Sequence, residues 1–309
     1  MVARIVVVVL AMLLGPGGAE AAGSVEKSFA SPEEAAAALV SAVKANDRAA
    51  VLAVLGNAGD WISSGDAAAD RATAQTFVTE YGQKHAIVPD GDHATLTVGD
   101  EDFPFAFPLV QREGRWRFDS VAGKEELLRR RIGRNELSTI QVLEAIVDAQ
   151  REYASVDRDG DGVMTYAQKF ASSAGKHDGL YWPVKADEPP SPLGELVVKA
   201  ASEGYGKQKS PSPYHGYNFR MLKGQGKHAE SGAFDYVVRG RGIGGFAVLA
   251  YPAKYGNSGI MSFMVNQDGK VYQADLGAQT KQKAEKMTRF DPASPWAAVD
   301  TQTTKEEHR

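Results

Sequence analysis

Apolar residues recur at helical spacing through the first third of the chain and at strand spacing through its last third, with one long helical run between. Ser31-Pro32-Glu33-Glu34 sets an N-cap side chain, a proline at the first helical position and two acids ahead of AAAALVSAVKAN, so it predicts a helix. RAAVLAVLG predicts a second helix, stopped at Gly56. In DWISSGDAAADRATAQTFVTEYGQK, turn signals give way to Phe77, Val78 and Tyr81 at helical spacing. HATLTVG, PFAFPLVQREG and RWRFDSV then alternate between Gly and Asp punctuation, the pattern of antiparallel strands joined by hairpins. Helices followed by a short meander predict an α+β domain over residues 29–121.

Gly123-Lys124-Glu125-Glu126 and LLRRRIGRN read as a junction, with Arg129, Arg130, Arg131 and Arg134 as a solvated helical face beside several glutamates or, alternatively, as a site for an anionic partner. A long helix is predicted from Asn135. Its apolar residues fall on two adjacent rows, Ile140, Leu143 and Val147 beside Val142, Ile146, Ala149 and Tyr153. Together they form an arc wide enough to be covered by a sheet on one side and more chain on the other. After the acidic loop DRDGDG come a helical LVVKAASEGYG and the strand-like pieces YNFRML, AFDYVVRG, GFAVLAYPAKYG, IMSFMVN and KVYQADLG. Asp268-Gly269 predicts a tight turn between the last two. The second domain, 124–296, is thus expected to be a long helix packed on an antiparallel meander, with a disordered polar tail over 297–309.

Composition narrows the setting. The opening MVARIVVVVLAMLLGPGGAEA has one cation, a short apolar run, a Gly/Pro break and a small-residue site at Ala19-Glu20-Ala21, the layout of a signal peptide cleaved after Ala21. The apolar run is too short to anchor the chain across a hydrocarbon core about 30 Å thick. A periplasmic or secreted location follows. The sequence has no cysteine, which removes disulfides, thiol catalysis, thiolate metal sites and a lipoprotein anchor together. At a net charge of −4 and without a basic stripe, nucleic acid is not an expected partner, and no later segment is apolar enough to span a membrane.

Three features carry candidate chemistry. DRDGDG matches the first half of a calcium loop: Asp157, Asp159 and Asp161 at positions one, three and five, Gly162 for the sharp turn, the Val163 carbonyl at position seven, and apolar Met164 next. A hard divalent cation needs such alternating oxygens because it takes six to eight at once. Gln168 stands where a bidentate Glu is wanted, so the same residues also read as an Asp/Gly turn without metal. GRGIGG has the spacing of a dinucleotide fingerprint at Gly240, Gly242 and Gly245, but FAVLAYP follows where a helix is required, which favours a hairpin or bulge. Two aromatic clusters, His177, Asp178, Tyr181 and Trp182 in HDGLYWP and Tyr214, His215 and Tyr217 in SPSPYHGYNF, could line a groove for a peptide, a glycan or an envelope protein, or pin their own loops to the sheet. The six histidines have no HxxxH spacing, and Ser258 is outside any GxSxG.

The runs IGRNELSTIQVLEAIVDAQREYASVDRDGDG, HDGLYWP, PYHGYNFRML, FDYVVRGRGIGGFAVLAYPAKYG and DGKVYQADLG, in that order, resemble a bacterial family of exported proteins known as domain of unknown function twenty-nine fifty. The resemblance spans nearly the whole mature chain and implies no reaction, cofactor or catalytic residue. The helices and meander of the N-terminal half are similar in order to the nuclear-transport-factor-like fold, and the helix, D-x-D-G loop and meander of the C-terminal half to type IV pilins and pseudopilins. The pilin likeness implies a structural or assembly role. The expected function is that of a non-enzymatic binding or envelope-associated protein, with a periplasmic hydrolase or a pilin-like component holding a weak calcium site as alternatives.

Overall fold

The computed structural model describes residues 27–300 apart from 57–59, 159, 186 and 206–211, so the leader over 1–21 and the tail residues 301–309 lie outside the described residues. The fold is α+β, as the pattern predicts, and it divides into an N-terminal unit ending at Gly133 and a C-terminal unit starting at Arg134.

The N-terminal unit opens with helices α1 (Pro32–Lys44), α2 (Arg48–Leu55) and α3 (Ala67–Gln83). Their starts are chemically specified. Ser31 Oγ accepts from the Glu34 amide at 3.2 Å, Asp47 caps through the Ala50 amide, and Asp66 accepts from the amides of Ala68 and Ala69. Strands β1 (His85–Asp90), β2 (His93–Val98), β3 (Phe103–Pro104), β4 (Leu109–Arg112) and β5 (Arg115–Phe118) follow. They form an antiparallel sheet in the order β1-β2-β4-β5, with β3 also on β2. β1 escapes the sequence pattern because nearly all of it is exposed and it has no apolar alternation to read. Phe105 and Phe107, expected inside a strand, sit instead in an irregular segment. They stack with each other at 5.4 Å between centroids, and Phe105 stacks on Phe77 at 5.1 Å. These rings close the unit's core with Leu39, Leu55, Leu96 and Phe118.

Helix α4 runs from Ser120 to Ala154, fifteen residues earlier than the predicted start at Asn135. The supposed junction is helix. Asp119 Oδ1 accepts from the amides of Val121 and Ala122 at 3.0 Å each, and Gly123 is present for a close approach, since a Cβ there would lie 2.2 Å from the Phe107 ring. The basic run is also not one solvated face. Arg129 and Arg130 pair with Glu126, while Arg131 is 1% exposed and donates to the carbonyls of Trp61 and Ile62 at 2.9 and 2.8 Å.

In the C-terminal unit, both predicted apolar rows of α4, from Ile140 to Tyr153, are buried. Helix α5 (Gly194–Ser202) precedes a sheet built from β6 (Tyr217–Leu222), β9 (Ala247–Pro252), β10 (Met261–Asn266), β11 (Tyr272–Asp275) and β13 (Ala297–Ala298), paired antiparallel in that order. A small side sheet joins β7 (Gly224–Gln225) to β8 (Phe234–Asp235) and, in parallel, to β12 (Arg289–Phe290); α6 (Thr280–Lys286) lies between β11 and β12 in the chain. The main sheet is covered on both faces. Val248, Ala250, Phe263 and Val265 pack with α4, whereas Leu249, Tyr251 and Met264 pack with Ala284 and Phe290. Every residue of β9 is therefore buried and its sequence is a continuous apolar run. Asn135 Nδ2 donates to Ser258 O at 2.9 Å, and Glu136 Oε1 accepts from the amides of Ile260 and Met261 at 2.9 Å, which fixes the helix to the start of β10. Asp268-Gly269 forms the predicted turn between β10 and β11, with Gly269 at φ +80°.

Of AFDYVVRG only Phe234–Asp235 is strand; the chain then reverses through Arg239 and Gly240, both at positive φ, with reciprocal Val238–Arg241 amide bonds. GRGIGG is accordingly a glycine-rich turn that feeds β9.

Candidate functional site

The segment after the acidic loop is fastened to α4 from inside. Gln150, fully buried, donates through Nε2 to Ala167 O at 2.8 Å and accepts from Ala167 N at 2.9 Å. Tyr181 N donates to Phe170 O, Ser172 N to Tyr181 O, and Leu193 N to Leu180 O, so residues 180–193 form a loop closed at its base. Four prolines, Pro183, Pro189, Pro190 and Pro192, restrict its backbone.

Between this loop and α5 lies a groove of about 590 Å³. One wall is Tyr181, Trp182, Pro183, Val184, Pro190 and Ser191; the other is the outer face of α5, with Gly194, Glu195, Val198, Lys199 and Ser202. Leu193, Leu196 and Val197 hold the inner face of α5 on the core, which leaves Val198 on the opposite side at 70% exposure. An apolar side chain so exposed, at the edge of a concave apolar surface, is the kind of group that a ligand covers.

The indole of Trp182 is held from two directions. His177 stacks on it with centroids 4.3 Å apart and planes at 24°, and the Arg158 guanidinium carbon lies 5.1 Å from its centroid and 4.7 Å from that of Tyr153. Tyr153 in turn donates its hydroxyl to His177 O at 2.7 Å. Asp178 faces Lys169 at 2.7 Å and accepts from the Ser173 amide, and these bonds hold its carboxyl well below the usual carboxylate range.

The second aromatic cluster divides. Tyr214 and His215 gather with Tyr205, the Tyr205–Tyr214 centroids 4.8 Å apart, and His215 Nε2 lies 3.5 Å from a Glu203 carboxylate oxygen. Tyr217 is core rather than groove wall: it is fully buried, donates to Met261 O at 2.9 Å, and burial pushes its phenol far above the ordinary range. The residues the sequence singled out thus serve three places, and only Tyr181 and Trp182 among them line the groove. Ser191, Glu195 and Lys199 carried no local signal. Val198 alone was readable, as the apolar residue off the inner row of Leu193, Leu196 and Val197.

In the acidic loop, Asp157 accepts from the amides of Gly160, Asp161 and Gly162, and Asp161 accepts from the Val163 amide and pairs with Arg241. Gln168 donates to Gly240 O. Asp159 lies outside the described residues, among which no group of three or more acids or histidines is arranged to hold a metal ion.

A family model described as "Protein of unknown function (DUF2950)" matches residues 26–299. No curated protein and no solved structure matches the chain, so the likeness to pilins rests on sequence pattern alone.

Proposed function

We propose, from the premise that the chain belongs to the DUF2950 family of unknown function, that it is an exported, non-enzymatic protein that binds an extended apolar peptide in the groove between α5 and the wall formed by residues 181–184 and 190–191. The observation that carries this reading is the exposed Val198, set among polar groups on the outer face of α5, opposite a proline-framed aromatic wall. Peptide is favoured over glycan because sugar recognition uses an open ring face, and the Trp182 ring already has His177 and Arg158 against it. Non-enzymatic binding is favoured because Asp178 is committed to Lys169 and because His177 and Tyr214 have different sets of partners. Export is supported by the leader pattern of residues 1–21.

Two measurements test it. The protein recovered from the extracytoplasmic fraction is expected to begin after Ala21; recovery from the cytoplasm with its leader intact refutes export. In calorimetric titration, acetylated pentapeptides ending in Leu, Val or Phe are expected to bind, and Val198→Asp, a change at an exposed position, to weaken binding at least about tenfold by setting a charge in the apolar wall. Equal binding by both proteins refutes the groove as the site.

A further inference from the structure

The end of the groove at the N-terminus of α5 brings backbone amide donors and a buried hydroxyl together beside the exposed Glu195. Helix α5 has nine residues and Leu193 at its N-cap, so no side chain caps it. The Gly194 amide is taken by Ser191 O at 2.7 Å and the Val197 amide by Leu193 O at 3.1 Å, which leaves the amides of Glu195 and Leu196 as its open first-turn donors among the described residues. A separate observation concerns Ser191. It lines the groove, is 3% exposed, and its buried Oγ has no hydrogen-bond partner among the described residues. The hydroxyl sits beside the first turn, 3.3 Å from where a Gly194 Cβ would be. A buried hydroxyl without a partner is unfavourable unless something supplies an acceptor. Lys199, exposed on the same wall, adds a positive charge. Glu195 opposes it from an exposed position.

We infer that this end of the groove receives a carboxylate, and that the proposed peptide enters it with its free C-terminus. The inference rests on the peptide-binding reading and adds to it an end and a direction. Two amide donors and one hydroxyl match the two oxygens of a carboxylate, and the helix N-terminus favours its charge. The apolar surface of Trp182, Val184, Pro190 and Val198 then faces the last side chains. A peptide suits the site better than a fatty acid because Glu195, Lys199 and Ser202 alternate with apolar groups along the wall, where a peptide backbone has polar atoms and a hydrocarbon tail has none.

The test is calorimetric titration of the purified protein with the same acetylated pentapeptides, each as free acid and as C-terminal amide, and with dodecanoate. The free acid is expected to bind about tenfold or more tightly than the amide, because hydrogen bonds to a charged group are the stronger kind. Ser191→Ala is expected to reduce that preference without lowering the melting temperature, since the hydroxyl it removes has no partner among the described residues. Lys199→Gln should weaken the acid alone, and Glu195→Gln should strengthen it. Equal binding of acid and amide, both weakened by Val198→Asp, overturns the carboxylate end and leaves the peptide groove standing. Binding of neither form overturns both, and dodecanoate binding above every peptide overturns the peptide as occupant.

Discussion

Arg158 lies with its guanidinium carbon 5.1 Å from the Trp182 ring centroid, so a residue of the acidic loop braces the wall of the groove. The same guanidinium covers Tyr153 on α4, and its Nε donates to Tyr153 O at 3.3 Å. Replacing Arg158 by Ala is expected to lower stability by about 0.5–1 kcal/mol, the scale of one such contact near the surface, and to weaken peptide binding severalfold by freeing the indole. Urea unfolding and titration of the variant check both. Unchanged affinity would mean that Trp182 needs no brace.

Gly123→Ala sets two effects of opposite sign against each other. Alanine favours an interior helical position by about 1 kcal/mol. The added Cβ, however, would stand 2.2 Å from Phe107 Cδ1, on a fully buried ring packed among Trp61 and Phe105. Overpacking of this kind costs about 1–3 kcal/mol, so the net change is expected to be destabilising. A variant more stable than the parent in thermal unfolding would show that Phe107 has room to move.

Arg131, Asp66 and Asp70 are the buried charged residues of the N-terminal unit among the described residues, and Arg131 acts on Asp70. Asp70 accepts from Ser63 Oγ at 3.0 Å and from the Ser64 amide at 3.2 Å, yet burial outweighs these bonds and the attraction of Arg131, and its carboxyl titrates above the usual value. A folded-state value above the unfolded one means that the group's stabilising contribution is full below about pH 4 and is lost as pH rises through the raised value. Relative to Asp70→Asn, the parent should therefore lose stability as pH increases from about 4. A difference that instead grows with pH would mean that Arg131 outweighs burial.

Arg131→Ala leaves the Trp61 and Ile62 carbonyls without this donor and removes the positive charge from beside Asp70. A loss of about 3–5 kcal/mol is expected, read by calorimetry. A loss under about 1 kcal/mol is what a solvated surface arginine would give, and would contradict the buried role.

In the acidic loop, Arg241 occupies one carboxylate of the set that reads as a calcium motif. Millimolar calcium is expected to leave the melting temperature of the parent nearly unmoved and to raise that of Arg241→Ala, where the ion can take the place of the guanidinium. A rise of several degrees in the parent would mean that the loop binds calcium with Arg241 present.

Much of this fold was legible because local chemistry and packing agree. Ser31-Pro32, Gly56 and Asp268-Gly269 end their elements where the sequence puts them, and the two rows from Ile140 to Tyr153 are all core. What was missed depends on contacts distant in sequence. Gly123 looks like a breaker until Phe107 is known to lie over it, and Arg131 looks solvated until the Trp61 and Ile62 carbonyls are found beneath it. The groove was half visible. Tyr181 and Trp182 stand out by composition, but Tyr217 shares that composition and is core, because its position in β6 turns it toward α4. Nothing in the local sequence marks Ser191, whose environment arises only when the proline loop folds back on α5.

Hydrogen exchange of the purified protein with and without an acetylated pentapeptide ending in Leu bears most directly on the central claim. Slowed exchange confined to residues 180–202, and absent in Val198→Asp, is the predicted result. Unchanged exchange in that segment at saturating peptide, or protection confined to another part of the chain, would contradict it.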